Sequence, residues 1–148
     1  MSTMTPGQKS AIEWECRQLA LRFTAHNDRQ EWDEMCSLLT ENATFARPTD
    51  PDNPLKGRAA IQAAYEARAT DRITRHICTN MIITAMSPSQ ASGTMYALLY
   101  AGSTGNPADL GLVADGRQLV GEFADDYVLT EDGWRIDSRR GRIIFSTE

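Results

Sequence analysis

A strand-forming run broken by polar side chains reads Arg75-His76-Ile77-Cys78-Thr79-Asn80-Met81-Ile82-Ile83. It lies in a region, residues 73–145, that is rich in Ile, Thr, Tyr and Val and predicts four long strands, at about 73–86, 90–102, 117–130 and 133–146. Turns of hairpin length at 87–90 and 130–133 predict that neighbouring strands pair antiparallel. The longer connection, 103–116, is rich in glycine and is predicted to form a flap over a site.

The residues before this region have helical periodicity. Apolar side chains recur every three or four positions and predict a helix over about 8–26. Its buried stripe comprises Ile12, Cys16, Leu19, Ala20 and Phe23. The tetrapeptide Asp28-Arg29-Gln30-Glu31 has the form of a capping box, so Asp28 is predicted to be the N-cap of a second, short helix. The apolar face of that helix comprises Trp32, Met35, Cys36 and Leu39.

A third helix separates the helical hairpin from the strand region. A short strand is predicted at about 42–47, and the prolines in 48–54 predict an irregular loop after it. The third helix starts at Gly57-Arg58, and one face of it carries Ile61, Ala64, Tyr65 and Arg68. Helices followed by a meander of long strands predict an α+β fold, with three N-terminal helices packed on a strongly curved antiparallel sheet that encloses a cavity.

The size and charge of the chain limit the classes of function. Its 148 residues suit one domain, spanning 1–148 with a core at about 11–145. Acidic residues outnumber basic ones by 20 to 15, so neither nucleic acid nor an anionic membrane surface is an expected partner. No signal-peptide pattern and no run of roughly 20 apolar residues is found, and we expect a cytoplasmic protein.

Motifs for common cofactors and metals are missing from the sequence. It contains no G-x-G-x-x-G, no G-x-x-x-x-G-K-[ST], no H-E-x-x-H and no G-x-S-x-G. Cys16, Cys36 and Cys78 lie in apolar stretches without paired spacing and are predicted to be small core residues. We therefore expect no metal and no organic cofactor.

Four motifs occur in an order that resembles a known family. They are Phe23-x-x-x-x-Asp28-x-x-x-Trp32, Lys56-Gly57-Arg58-x-x-Ile61, Arg75-His76-x-x-x-Asn80 and Gly133-Trp134-Arg135-Ile136-x-x-Arg139. Over about residues 11–145 the chain resembles the SnoaL-like branch of the nuclear transport factor 2-like superfamily. The resemblance implies a cystatin-like cone, a fold that hosts dehydratases, isomerases, cyclases, epoxide hydrolases and non-catalytic binding modules.

The resemblance also implies site residues. In the scytalone dehydratase and bile-acid dehydratase groups, a Tyr and an Asp at the end of the first helix, a His after the third helix and a later basic or amide group line the pocket. Asp28 and His76 match the Asp and the His, and Arg139 matches the late basic group. Phe23 stands at the Tyr position and lacks the phenolic hydroxyl. Tyr96 or Tyr100 is an alternative source of such a group.

A carboxylate and an imidazole in contact would be suited to proton transfer. Imidazole titrates near neutral pH, and a carboxylate within hydrogen-bonding reach fixes its tautomer and raises its basicity. Asp28 and His76 could then remove a proton next to a carbonyl and return it elsewhere, while Arg139 stabilises the enolate charge. This chemistry is common to dehydration, isomerisation and aldol-type cyclisation.

Each candidate also has a purely structural interpretation. Asp28 could act only as a helix cap, and His76 could be a core histidine. Asn80, which alternation places on the same strand face as His76, could bind a ligand or merely tie neighbouring strands. Arg75 is predicted to pair with Asp125 or Asp126 on the opposite face. The aromatic residues that could line the cavity or only pack are Trp32, Tyr65 and Phe45.

Three classes of function remain open. The first is a cofactor-independent lyase or isomerase that acts on a small, largely apolar or aromatic metabolite. The second is a binding or dimerisation module that keeps the cavity without the chemistry, and the third is a structural subunit resembling the small subunit of aromatic-ring dioxygenases. In each case we expect a homodimer formed through the outer face of the sheet. Apolar surface for this contact, on one side of the sheet or the other, could come from the alternation of Met81, Ile83, Leu98 and Val128.

Overall fold

The computed structural model describes residues 3–147, which form three helices and seven strands. The helices are α1 (Pro6–Arg29), α2 (Trp32–Ser37) and α3 (Arg58–Glu66). The strands are β1 (Leu39–Arg47), β2 (Asp50–Lys56), β3 (Arg72–Ser87), β4 (Gln90–Pro107), β5 (Leu112–Ala114), β6 (Leu119–Thr130) and β7 (Gly133–Ser146). The third helix and the four long strands are confirmed within a few residues, and the predicted α+β cone is confirmed.

Helix α1 is longer than predicted and includes Asp28. Thr5 caps its N-terminus in a capping box with Gln8, and Gln30 ends it in a left-handed conformation with φ 59°. The prediction that Asp28 is the N-cap of α2 is therefore wrong: the N-cap of α2 is Glu31, whose side chain makes no capping hydrogen bond. Asp28 lies in the last turn of α1, and its carboxylate accepts hydrogen bonds from strand β3 instead.

The sheet is mixed, with strand order β2-β1-β7-β6-β4-β3. Strands β1 and β7 pair in parallel, whereas the other pairs are antiparallel, so the prediction of a wholly antiparallel sheet is corrected at this one junction. The predicted irregular loop at 48–54 is also wrong, because residues from Asp50 onward form β2. Strand β2 is at the edge of the sheet, where Pro51 and Pro54 do not interrupt a ladder on both sides.

The connection at 103–116 is not a flap over the cavity. Strand β4 continues to Pro107, and β5 folds back to pair with it, so this segment extends the sheet as an exposed arm. Gly102 permits the close approach of the two strands, since a Cβ atom there would lie 2.8 Å from the Val113 carbonyl oxygen. None of the residues lining the cavity comes from this arm.

The core lies between the three helices and the inner face of the sheet. Its fully buried side chains include Cys16 and Cys36, as predicted. Met81 and Ile83 also pack against this core, so these two candidates for the dimer contact lie on the inner face of the sheet. The reason is an irregularity in β3 between Thr79 and Ile82, which changes which side chains point inward. Within residues 3–147, no helix is long and apolar enough to cross a membrane.

Candidate active site

A cavity of about 420 Å³ opens between the helices and the inner face of the sheet. Its volume is in the range typical of small-molecule sites. Aromatic and aliphatic side chains form most of its wall, including Phe23, Phe45, Met95, Leu99, Phe123 and Ile143. A cavity of this kind binds the apolar part of a ligand, and the few polar groups in its wall orient that ligand.

His76 lines one wall of this cavity, and Asp28, which does not itself line it, contacts the imidazole. The Asp28 Oδ1 and His76 Nδ1 atoms are 2.6 Å apart, and both side chains are largely buried, at 12% and 16% exposure. The His76 backbone N–H donates to Asp28 Oδ2 at 2.9 Å, and the Thr74 hydroxyl donates to Asp28 Oδ1 at 2.9 Å. Alternation along β3 explains the arrangement, because Thr74, His76 and Cys78 share the inner face and all line the cavity.

The surroundings of Asp28 keep it ionised. Burial opposes the charged form, but the hydrogen bonds and charge of His76 and the hydrogen bond from Thr74 outweigh burial and hold the pKa of Asp28 below its usual value. An ionised carboxylate only accepts hydrogen bonds, so the proton between Asp28 and His76 resides on Nδ1. A neutral imidazole in this tautomer has its free electron pair on Nε2, which makes it a base.

Arg139 lies on another wall of the cavity and is 3% exposed. Its Nε and Nη2 atoms donate to the two oxygens of Asp125, each at 2.8 Å, and the Tyr127 hydroxyl donates to Asp125 at 2.8 Å. Burial opposes the charge of Arg139, but Asp125 raises the pKa of the guanidinium, which stays protonated. Arg75, by contrast, donates to the carbonyl of Thr74, so its predicted pairing with Asp125 or Asp126 is wrong.

Phe23 contacts this guanidinium. The Arg139 Cζ atom is 4.6 Å from the centroid of the Phe23 ring and 5.2 Å from that of Phe123. The aromatic faces attract the cation and leave the guanidinium at the cavity surface. The residue at the family's Tyr position thus packs against the cation of the site.

The structure separates the other predicted site residues into two groups. Tyr65 and Phe45 line the cavity. Trp32 does not line it but packs on Tyr65, with ring centroids 5.3 Å apart. The predicted residues that lie away from the cavity are Asn80, Tyr96 and Tyr100.

The positions of these three residues correct the prediction for physical reasons. Asn80 has φ 51° in the irregular part of β3, and its side chain accepts a hydrogen bond from Thr79 on the exposed surface. The irregularity therefore interrupts the inward–outward alternation between His76 and Asn80. Tyr96 and Tyr100 are 45% and 43% exposed and point to the outer face of β4, so neither supplies a hydroxyl to the cavity.

Sequence reasoning missed several polar residues of the cavity, among them Arg47, Arg68, Arg72 and Thr74. Thr74 could have been found, because it is two positions before His76 on a regular strand. Arg47 and Arg72 lie at the ends of strands that the sequence bounds only loosely. The described residues contain no group of three or more His, Cys, Asp or Glu side chains that could hold a metal ion.

The family model of the SnoaL-like domain matches residues 8–140 of the chain. The chain belongs to the SnoaL-like domain family. Among curated proteins, none matches this SnoaL-like domain significantly.

Solved structures similar to this SnoaL-like domain share its cone fold at low sequence identity. A candidate scytalone dehydratase from Novosphingobium aromaticivorans DSM 12444 is 21% identical, with a TM-score of 0.74 over 89% of this chain and 83% of that one. A hexachlorocyclohexane dehydrochlorinase, LinA type 2, is 13% identical, with a TM-score of 0.73 over 89% and 84%. A Catenulispora acidiphila protein in complex with S-DNPA is 21% identical, with a TM-score of 0.71 over 91% and 95%.

Proposed function

We propose that this SnoaL-like domain is a cofactor-independent lyase or isomerase that acts on a small, largely apolar carbonyl or hydroxyl compound. The observation that supports the proposal is the 2.6 Å contact between Asp28 Oδ1 and His76 Nδ1 at the wall of an apolar cavity. The names of two similar structures, a candidate scytalone dehydratase and a dehydrochlorinase, refer to elimination reactions, which agrees with this class of reaction.

The chemistry begins with proton abstraction. His76 Nε2 takes a proton from the carbon next to a carbonyl, and the electron pair of the broken C–H bond moves to form an enolate. Asp28 stabilises the imidazolium that results. Arg139, whose Nη1 group donates to no described residue, stabilises the negative charge on the enolate oxygen.

The fate of the proton decides between isomerisation and elimination. If the substrate has a β,γ carbon–carbon double bond and His76 returns the proton to the γ carbon, the double bond moves next to the carbonyl and the product is an isomer. If His76 gives it to a hydroxyl at the β carbon, the C–O bond breaks, water leaves and the electron pair of the enolate forms the new double bond. Both reactions use the same base and the same wall of the cavity.

The proposal is tested with 2-tetralone, a bicyclic ketone with acidic protons next to its carbonyl. The protein should exchange these protons for deuterium in D₂O faster than buffer alone, as followed by proton NMR, because proton abstraction precedes both reactions. Exchange at the buffer rate for 2-tetralone and for related bicyclic ketones would reject the enzyme. It would leave the second candidate, a binding module, which is favoured by the absence of a phenolic hydroxyl at Phe23.

We also propose that the domain forms a homodimer through the outer face of the sheet. The cross-strand register joins Ile77, Leu98, Val120 and Phe145 into one row across four strands. The ends of this row are unusually exposed for apolar side chains, with Ile77 at 51% and Phe145 at 69%. A second copy would remove this apolar row from water. Leu98, predicted for this surface, belongs to the row.

Replacing Ile77 by lysine should convert the dimer to a monomer, since a charge is costly to bury in an apolar contact. Sedimentation velocity measures the change. Leu21→Lys is the matched control, because Leu21 is an exposed apolar residue on α1, at 37%, and lies on the helical side of the sheet. A wild-type protein that sediments as a monomer, or an Ile77→Lys variant that stays dimeric, would contradict the proposed interface.

A further inference from the structure

The polar part of the cavity wall is strongly basic. Four arginines line the cavity, namely Arg47, Arg68, Arg72 and Arg139, and no Asp or Glu does. This is the opposite of the chain as a whole, in which acidic residues outnumber basic ones by 20 to 15. Like charges gathered around one cavity favour a ligand of the opposite charge.

The four guanidiniums differ in how well the protein neutralises them. Arg139 is fully paired with Asp125, and Arg72 lies 3.2 Å from Asp115. Arg47 is 3.6 Å from Asp50, and its buried Nε has no hydrogen-bond partner. Arg68 has no carboxylate partner among residues 3–147; its Nη1 donates to Asn27 at 3.4 Å. Arg68 and Arg47 therefore retain charge and donor capacity at the cavity.

Tyr65 adds a hydroxyl donor to the same cavity. The side chain is 2% exposed and lines the cavity, and its hydroxyl makes no hydrogen bond to any residue that the structure describes. Because Tyr65 lines the cavity, this hydroxyl is available to donate a hydrogen bond to a ligand atom. The Arg68 guanidinium lies over the same ring, 4.1 Å from its centroid.

The hydroxyl of Tyr65 is a donor at neutral pH. Burial raises its pKa, and the charges of Arg68, Arg139 and Arg47 act against that rise. Arg68 contacts the Tyr65 ring, and Arg47 and Arg139 line the same cavity. A proton donor and two incompletely neutralised cations therefore line the same cavity, and one of these cations, Arg68, lies directly over the donor's ring.

We propose that the ligand carries a carboxylate, which accepts a hydrogen bond from Tyr65 and pairs with Arg68, while Arg47 adds charge at the same end. The apolar body of the ligand then extends along the aromatic wall toward His76. This inference rests on the proposed function, because it names the substrate class of the same cavity, and it adds an acidic group to an otherwise apolar substrate.

The test compares 2-naphthoate with 2-naphthamide, which has the same shape but no charge. Isothermal titration calorimetry at low salt should show that the carboxylate binds at least tenfold more tightly than the amide. Arg68→Gln should weaken naphthoate binding about fivefold and Tyr65→Phe by a similar factor, with little effect on the amide. Added salt should reduce the preference, since the arginines are partly exposed.

Arg75→Gln is the matched control, because Arg75 is exposed on the same strand as His76 and does not line the cavity. It should leave both affinities unchanged. Equal binding of acid and amide, no measurable binding of naphthoate, or an equal loss in Arg75→Gln would overturn the proposal. Tighter binding of 2-naphthyl phosphate than of 2-naphthoate would overturn the assignment of a carboxylate.

The binding test is independent of turnover. A variant with Asp28→Asn should keep the preference for naphthoate even though it lacks the proposed base. Lack of deuterium exchange together with a retained carboxylate preference would reject the enzyme and leave this subsite intact. Deuterium exchange without a carboxylate preference would support the enzyme and reject the carboxylate subsite.

Discussion

The Asp28→Asn variant should exchange the protons of 2-tetralone about 10²- to 10⁴-fold more slowly than the wild type, a loss comparable to removal of a general base. The reason is the tautomer of His76. Asp28 Oδ2 accepts from the His76 backbone N–H, and Oδ1 accepts from Nδ1. An amide has one oxygen and one NH₂ group, so it can accept at only one of these places.

The backbone N–H of His76 is always a donor, and it therefore attracts the amide oxygen. The NH₂ group then faces Nδ1, which must accept, and the ring proton moves to Nε2. In this tautomer the nitrogen that faces the substrate has no free electron pair. The His76→Gln variant has no imidazole, so its exchange rate shows the effect of losing the base completely. The exchange rate of Asp28→Asn is compared with this value.

The chain offers a matched control in a second histidine–carboxylate pair. His26 Nδ1 lies 2.5 Å from Glu31 Oε2, and neither residue lines the cavity. Glu31→Gln makes the same chemical change and should leave the exchange rate unaltered. If Asp28→Asn exchanges as fast as Glu31→Gln, the carboxylate of Asp28 has no part in the chemistry.

Replacing Arg139 by methionine should lower the free energy of unfolding by about 3–5 kcal/mol. Methionine fills much of the space but leaves the Asp125 carboxylate, which is 3% exposed, without its cation. Tyr127 still donates to Asp125, yet a neutral hydroxyl does not offset the desolvation of a buried charge. Urea denaturation followed by tryptophan fluorescence measures the loss.

Arg140 is the control, since it is the next residue and pairs with the next carboxylate. The Arg140–Asp126 bridge is exposed, at 53% and 48%, so Arg140→Met should cost less than about 1 kcal/mol. Adding Asp125→Asn to Arg139→Met removes the unpaired charge and should restore part of the stability. Equal losses in the two single variants would show that burial of the Arg139 pair has no special effect.

The succession of elements was readable from the sequence because each element depends on local periodicity. The strand character of β3, β4, β6 and β7 was predicted correctly from the alternation of their residues. The helical character of α3 was predicted correctly from the apolar face that carries Ile61. Strand β2 was missed, because its prolines are compatible with a strand only at an edge, and edge position is a property of the whole sheet.

The candidate site was predicted in part for the same reason. The alternation before the irregularity in β3 holds, and His76 and Thr74 both face inward. Beyond it Asn80 turns outward and Met81 inward, and no local pattern announces such an irregularity. The position of Asp28 in a sequence motif predicted that it belongs to the site. Its predicted role as a helix cap was wrong because α1 continues past Asp28.

Local sequence alone thus specified three helices, four long strands and an imidazole on an inward-facing strand, since periodicity and turn residues act over a few neighbours. Tertiary structure decided which distant groups meet. Asp28 and His76 are 48 positions apart, and Arg68, Tyr65 and Arg47 come to line one cavity only when α3 packs against β1. Contacts between remote segments depend on the packing of complete elements, and so does the charge of the cavity they enclose.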